Sequence, residues 1–427
     1  MSRRIVVLLA AIQTAISGQA PARGLRLEEL EKMALESNPA IRAAAAGVEA
    51  ARGRRLQAGL YPNPVIGGTG DEIAGGPVIR YGEWGGFVEQ RIVTAGKRGV
   101  SRQIAGQEVA QAETAAEAER LRVLSMVRTL YYEALGDQRL VELRGELAAV
   151  SQRAVGISRE LANLGQADRP DVLAAEIEGQ RAELALQMAQ NARDRTWRQL
   201  AAVTNNASLA PRPLEGDLEP APQLDREALR VRIEQESPEV REAQTGIARA
   251  ELVLRQARIA SIPDVVARGG LRYNRELLEL NRRPVGLEGF FDIGVEIPLF
   301  NRNQGNIAAA RADQERARRE AERVRLSLRS RLAAVYREHQ DAVHTLERYR
   351  DQIIPRARQA HELYQNSFRQ MAASYPQVLI AQRSLFQLRE EYVMALVGAW
   401  RSAVEIQGLL VSSGAEMQAM APAHAAH

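Results

Sequence analysis

The chain has 427 residues, of which 45% are hydrophobic and 26% charged, so it can form a large folded body. It contains no cysteine, which excludes disulfides, thiolate metal sites, cysteine nucleophiles and lipidation at an N-terminal cysteine. The net charge is +4, but arginine and glutamate alternate along the predicted helical stretches, and this pattern argues against nucleic-acid binding.

The N-terminal segment predicts export. Arg3 and Arg4 precede an apolar stretch too short to span a bilayer, and Ala20-Pro21-Ala22 supplies small residues for cleavage. Residues 1–22 are therefore interpreted as a signal peptide, with a buried N-terminal helix as the alternative.

The remainder of the chain contains an internal duplication. Asn38-Pro39-Ala40-Ile41-Arg42 resembles Ser237-Pro238-Glu239-Val240-Arg241, and Val88-Glu89 resembles Val295-Glu296. This similarity predicts a first repeat over 23–210, a proline-rich linker over 211–222 and a second repeat over 223–411. Residues 412–427 are predicted to form a flexible tail, whose methionines and histidines leave metal binding open as an alternative.

Both repeats show the same order of predicted elements. An amphipathic helix near 27–58, and again near 225–260, is followed by a segment of β character with two strands, over 61–93 and 263–300. These segments are rich in aromatic residues, which favour strands: Tyr61, Tyr81, Trp84, Phe87, Tyr273, Phe290, Phe291 and Phe300. Two long helices complete each repeat.

Heptad spacing predicts that the long helices pair with other helices. One seam runs through Leu143, Leu147, Val150, Ala154, Ile157, Leu161 and Leu164. The second runs through Leu328, Leu332, Val335, His339, Ala342, Leu346, Tyr349 and Ile353, and the return helix repeats it at Leu379, Phe386, Val393 and Trp400. The first long helix is predicted over 99–164, and Pro355 is predicted to kink its counterpart.

No motif predicts an enzyme, a cofactor or a metal site. His339 occupies a seam position, which favours a packed histidine. His361 lacks the second histidine of a zinc-protease helix, and Gly96-Lys97 is followed by arginine where a P-loop has serine or threonine.

Two stretches carry a family resemblance. The segment 165–173, Gly-Gln-Ala-Asp-Arg-Pro-Asp-Val-Leu, and the segment 374–386, which begins Ser-Tyr-Pro-Gln-Val-Leu, resemble the helix–turn–helix tips of TolC-family outer-membrane efflux proteins. Residues 88–98 and 295–300 resemble the points where that family passes from strand to long helix. The Gly-Lys-Arg variant within 88–98 is similar to the heavy-metal efflux branch.

The resemblance implies a mainly α-helical subunit with a smaller β part. Long coiled-coil-like helices would form the wall of an α-barrel, and four strands per subunit would join a trimeric transmembrane β-barrel in the outer membrane of a Gram-negative bacterium. The expected partners are two further copies, outer-membrane lipid, a periplasmic adaptor and an inner-membrane proton-driven pump. The expected function is the exit duct of a tripartite efflux system for metal cations or small toxic compounds.

The tips are the expected periplasmic gate. The resemblance assigns it to Gly165, Asp168, Arg169, Asp171, Arg369, Met371, Tyr375 and Gln377. Met371 stands where the family has glycine, Gln377 where it has aspartate, and Arg91 where a strand-to-helix junction often has proline. Asp171 has two open interpretations: an acidic ring at a narrow aperture, or the cap of the return helix.

Two other functions share these features. A soluble periplasmic coiled-coil scaffold or adaptor also has long helices and a signal peptide, but it carries compact β-domains in place of lipid-facing strands. An outer-membrane component of protein secretion keeps the fold and changes the cargo. Residues 61–93 and 263–300 discriminate the scaffold from the duct.

Overall fold

The computed structural model describes residues 24–72, 82–165, 168–277, 283–370 and 372–410; the predicted signal peptide and tail lie outside them. The helices are α1 (Leu27–Ser37), α2 (Pro39–Ala58), α3 (Lys97–Asn163), α4 (Arg169–Val203), α5 (Arg226–Glu236), α6 (Pro238–Ile259), α7 (Gln304–Arg348), α8 (Ile354–Arg369) and α9 (Tyr375–Gln407). The strands are β1 (Val65–Asp71), β2 (Glu83–Ile92), β3 (Val265–Leu277) and β4 (Pro284–Val295). The prediction of a mainly α-helical chain with a smaller β part is confirmed.

The amphipathic helix predicted at the start of each repeat is in fact a pair of helices, which corrects the single helices expected over 27–58 and 225–260. Both breaks fall at the residue before a proline, where Asn38 and Ser237 have extended backbones with ψ of 125° and 131°. A proline ring disfavours the helical conformation of the residue before it. Asn38 also caps α2, because its side chain accepts a hydrogen bond from the Ala40 N–H at 2.8 Å.

The first long helix, α3, has 67 residues and confirms the helix predicted over 99–164. At about 1.5 Å per residue it is about 100 Å long. Helix α4 returns antiparallel along it. The ion pair between Arg159 and Glu176 joins the two helices near one end, and the hydrogen bond from Thr196 to Asp137 joins them near the other.

At Pro355, where a kink is predicted, the structure has a π-helical segment just before the proline. Helix α7 passes through one π-helical segment, Tyr349–Ile353, directly into α8, where Pro355 lies in the first turn. Proline has no N–H for the carbonyl four residues earlier, and its ring clashes with that carbonyl. A π-bulge is one way in which a helix accommodates such a position.

The two predicted seams have different outcomes. The second is confirmed, since Leu328, Leu332, Val335, His339 and Leu346 are all buried.

The first seam is buried within the chain at Leu143 and Ala154, whereas Ile157 and Leu164 remain 42% and 72% exposed. Near the C-terminal end of α3 the buried stripe consists mainly of small residues, Ala148, Ser151, Ala154, Val155 and Ser158, which face Ala175, Gly179 and Ala182 of α4. Small side chains let the two helices approach closely. A Cβ on Gly179 would lie 3.2 Å from the Val155 side chain.

The main core lies midway along the helices. Val127, Leu130, Tyr131, Leu200 and Ala399 are buried together there. The predicted linker packs against this core through buried leucines at 214 and 218, and the Trp400 indole donates a hydrogen bond to the carbonyl of residue 218 at 2.7 Å. The segment is therefore part of the packed body.

The four strands form one antiparallel sheet in the order β1-β2-β3-β4. Its central pair joins the two repeats, with Phe87 opposite Gly270 and Trp84 opposite Tyr273. Strands β1 and β4 are the two edges. Among the described residues, no helix has both the length and the apolar character needed to cross a membrane.

Candidate functional site

The sheet has one apolar face. Side chains alternate between the two faces of a strand, and the pairing aligns this alternation across all four strands. The apolar face is exposed throughout and carries Ile66, Trp84, Val88, Ile92, Leu271, Tyr273, Val285, Leu287, Phe291, Ile293 and Val295. Within the described residues, no helix packs over the sheet.

The opposite face is charged. Arg272 pairs there with Glu83 at 2.6 Å and with Glu288 at 3.3 Å, and it lies 3.9 Å from Asp71. The Asn274 amide donates a hydrogen bond to Glu83 at 2.8 Å. The same face also carries Glu89, Arg268 and Asp292. A single-layer sheet with these two faces suits a wall between lipid and water.

A cluster of polar groups, which we call the junction cluster, joins the sheet to the long helices. It consists of Arg91, Thr94, Lys97 and Asp264. Arg91 donates two hydrogen bonds to Asp264 Oδ2, at 2.9 and 2.7 Å. Lys97 Nζ and the Thr94 N–H donate to Oδ1, at 2.8 and 3.1 Å.

These bonds stabilise the ionised form of the Asp264 carboxyl, whose side chain is 8% exposed. Burial raises the pKa of Asp264, but the hydrogen bonds from Lys97, Thr94 and Arg91 outweigh it and lower the pKa to about 2. The arginine noted as a departure from the family therefore has a partner in this chain. Sequence reasoning missed Asp264, whose one signal was an acid placed between Pro263 and a strand.

The first tip lies between α3, which ends at Asn163, and α4, which begins at Arg169, and residues 166 and 167 of this segment lie outside the described residues. Gly165 has a φ of +72°, a left-handed conformation that glycine adopts without strain. The capping interpretation of Asp171 is wrong, because α4 begins at Arg169 and the N-cap residue is Asp168. Among the described residues, the side chains of Asp168, Arg169 and Asp171 form no hydrogen bond or ion pair.

The second tip lies between α8, which ends at Arg369, and α9, which begins at Tyr375. The Tyr375 ring packs against Phe368 with centroids 5.1 Å apart, and burial raises the pKa of the Tyr375 hydroxyl. Gln377 closes the first turn of α9, because its side chain accepts a hydrogen bond from the Ser374 N–H at 3.2 Å. Sequence reasoning missed Phe368 as the partner of this tyrosine.

Both tips lie at the same end of the molecule. Glu178 of α4 and Arg383 of α9 form an ion pair at 3.2 Å, and each lies about two turns from the start of its helix. Arg369 ends α8, and its side chain forms no ion pair or hydrogen bond in the part of the chain that the structure describes. Met371 lies outside the described residues.

Helix α4 carries an exposed apolar stripe above the first tip. Leu173, Ile177, Leu184 and Met188 are spaced by four, seven and four residues and lie on the side opposite its buried small residues. Each is at least 47% exposed. Heptad spacing of this kind needs a partner helix, and none of the described helices of this chain covers the stripe.

The described residues bring together no group of three or more histidines, aspartates or glutamates that could hold a metal ion. His339 is 3% exposed, and its Nδ1 lies 3.2 Å from the Ala399 carbonyl oxygen and 3.1 Å from Ser402 Oγ. It is packed in the core as its seam position predicted.

Comparison with known proteins identifies the architecture. The family model for outer membrane efflux proteins matches residues 30–206 and 229–410. The cobalt-zinc-cadmium resistance protein CzcC of Cupriavidus metallidurans is 25% identical over 393 residues, which are 90% of either chain.

Solved structures have the same fold. CusC matches with a TM-score of 0.72 and 18% identity, over 92% of this chain and 95% of CusC. The outer membrane protein VceC of Vibrio cholerae matches with a TM-score of 0.73 and 18% identity, over 91% of this chain and 96% of VceC.

Proposed function

Because the chain belongs to the outer membrane efflux protein family, we propose that three copies of it form the exit channel of a tripartite efflux system. The observation that carries this proposal is the sheet. Its exposed apolar face suits lipid and its charged face suits a water-filled lumen, and it stands at the end of helices about 100 Å long. A soluble scaffold would cover such an apolar face with a second layer.

The edges of the sheet argue for several copies. In lipid, the unpaired N–H and C=O groups of β1 and β4 would each cost several kcal/mol. Pairing β4 of one copy with β1 of the next removes the edges, and four strands are too few to close alone, since closure needs about eight. Three copies, the number that the family resemblance implies, close a ring. The exposed stripe of α4 would be covered in the same assembly.

Metal cations are the cargo that we propose, with small toxic compounds as the alternative. The relative CzcC is named for resistance to cobalt, zinc and cadmium. The charged face of the sheet, which would line the lumen, carries more carboxylates than guanidinium groups. An adaptor in the periplasm and a proton-driven pump in the inner membrane would deliver the cargo to the tips.

The location of the protein in the cell tests the proposal first. The mature protein should begin at Arg23, fractionate with the outer membrane of a Gram-negative host and need detergent for extraction. Mass spectrometry of the extracted protein gives both the cleavage site and the mass of the assembly. Recovery of the mature chain as a monomer in the soluble periplasm would contradict the channel and favour the scaffold.

Cargo is tested in cells. A strain that carries a metal pump and its adaptor but lacks their outer-membrane channel should regain resistance to divalent cations when this protein is expressed. Normal placement without any gain in metal resistance would leave the channel in place and contradict metal as its cargo.

A further inference from the structure

Arg268 lies in the middle of β3 on the charged face of the sheet. Its cross-strand neighbours are Glu89 on β2 and Asp292 on β4. Side chains directly opposite each other in antiparallel strands have Cβ atoms about 5 Å apart, so an ion pair with either acid is within reach. Neither forms: across the described residues, both carboxylates lack an ion pair or a side-chain hydrogen bond within the chain.

The guanidinium of Arg268 lies over aromatic rings instead. Its Cζ is 3.7 Å from the centroid of Phe87 and 5.8 Å from that of Phe290. Such stacking of a guanidinium on an aromatic face is comparable in strength to a partly exposed ion pair. The Nε atom of Arg268 is buried and has no hydrogen-bond partner, which agrees with a guanidinium held by stacking.

Two glycines allow this arrangement. A Cβ on Gly67 would come within 2.5 Å of the Phe87 ring, and one on Gly270 within 2.8 Å of the Phe290 ring. Each phenyl ring therefore lies across a glycine on the neighbouring strand and turns a flat face away from the sheet. Arg268 covers the face that Phe87 presents.

Arg272, on the same strand, shows what happens without such a stack. It lies 6.0 Å from the Phe290 centroid and is neutralised by Glu83 and Glu288. Two arginines on one face of one strand thus have different partners: one pairs with acids, and the other stacks on a ring.

We propose that Phe87 holds the Arg268 guanidinium away from Glu89 and Asp292. The two carboxylates then remain unpaired on the charged face of the sheet, and they set the channel's preference for cations. The inference rests on the proposed function, in which the charged face lines the lumen. Each of three copies would place two unpaired carboxylates and one stacked guanidinium around the opening, so the acids outnumber the cation, and an acidic ring favours cations. Phe87 is then a specificity-determining residue although it carries no charge.

Planar-bilayer recordings of the purified protein test the proposal. Reversal potentials in a potassium chloride gradient give the ratio of cation to anion permeability. Phe87→Leu keeps an apolar side chain but removes the ring, so Arg268 should turn to the acids and the ratio should fall about twofold. The matched control, Phe291→Leu on the apolar face, should leave it unchanged. Recording all variants in an Asp171→Asn background keeps the first tip from dominating selectivity.

A double-mutant cycle distinguishes an effect of the redirected Arg268 charge from a distortion of the sheet by Phe87→Leu. Once Arg268→Gln removes the cation, adding Phe87→Leu should have no further effect on the ratio. The variant Glu89→Gln with Asp292→Asn should lower the ratio at least as much as Phe87→Leu. An unchanged ratio in Phe87→Leu, or in the double acid variant, would overturn the inference while leaving the channel intact. A wild-type protein that conducts no ions would instead overturn the proposed function and the inference with it.

Discussion

The charged side chains at the two ends of the long helices differ in whether they have partners within the chain. At the junction cluster, Asp264 is surrounded by Arg91, Lys97 and the Thr94 N–H, all from the same chain. At the first tip, Asp168, Arg169 and Asp171 have no side-chain partner among the described residues. The junction is therefore complete within one chain, whereas the charges of the tip remain available for other copies or for an adaptor.

The largest expected effect is at the junction. Asp264→Ala removes a carboxylate with 8% of its side chain exposed and leaves Arg91 and Lys97 without their partner. We expect a loss of about 3 kcal/mol in the free energy of unfolding, because the remaining cations lose charged hydrogen bonds. Thermal denaturation in detergent measures it. Glu296→Ala, at the junction of the second repeat, is the matched control, with a change within about 0.5 kcal/mol.

The same cluster predicts a dependence on acid. The pKa of Asp264 is lowered from 3.8 to about 2, so its contribution to stability is present above about pH 4. That contribution is lost as the pH falls from 4 toward 2. Over this range, the melting temperature of the wild type should fall more steeply with decreasing pH than that of Asp264→Asn. Parallel curves for the two proteins would show that Asp264 does not stabilise the junction through its charge.

The second largest effect tests whether the part of the molecule near the tips is stabilised by contacts with other copies. Leu184→Glu places a charge in the exposed stripe of α4 and should weaken assembly at least tenfold, or by about 1.4 kcal/mol, because the charge must be buried between chains. Native mass spectrometry at decreasing protein concentration measures the fraction of monomer. Leu184→Met keeps the apolar surface and should assemble like the wild type. If Leu184→Glu assembled equally well, the stripe would not be an interface.

Substitutions of two glycines, one at the first tip and one inside α3, should have a smaller effect. Gly165→Ala should destabilise the first tip by about 1 kcal/mol, because an L side chain is strained at a φ of +72° even where space is open. Gly156→Ala lies inside α3, also in open space, and should have the opposite sign, stabilising by about 0.5–1 kcal/mol. Hydrogen exchange of the α3–α4 turn measures both. Equal protection in the two variants would contradict the assigned turn conformation.

The smallest effect concerns selectivity. If unpaired charge at the first tip faces the aperture, Asp171→Asn should lower the ratio of cation to anion permeability about twofold with little change in stability. Gln377→Glu keeps an acceptor for the Ser374 N–H and adds an acid to the second tip, so it should raise the ratio. Planar-bilayer recordings measure both. No change in either variant would give both residues a structural role only.

The elements with local signals were predicted well. Heptad spacing located the long helices and the second seam, and aromatic and glycine content located the two β segments that contain all four described strands. The helix breaks at Asn38 and Ser237 also have a local signal, because a proline follows each residue, although the chain is helical on both sides of each break. The first seam is buried only in part within the chain, because small residues form the close contact between α3 and α4, and the spacing of large residues does not predict that contact.

The candidate site was predicted only in part. Family motifs placed the tip residues on two turns, but the partners that distinguish these turns, Phe368 and the Ser374 N–H, depend on how each turn packs. Arg268 and its acids lie on three strands from two repeats, and no local pattern shows that the arginine stacks on Phe87.

The sequence by itself determined the family and the long helices, because both depend on motifs and spacings of residues close together in the chain, and it predicts a duplication and an export signal. Tertiary structure alone decided which side chains neutralise one another. Arg91 contacts Asp264 across 173 residues, and the Arg268 guanidinium stacks on Phe87 of another strand. Charge balance in this molecule is a property of distances between side chains, and those distances exist only after the two repeats have paired their strands in one sheet.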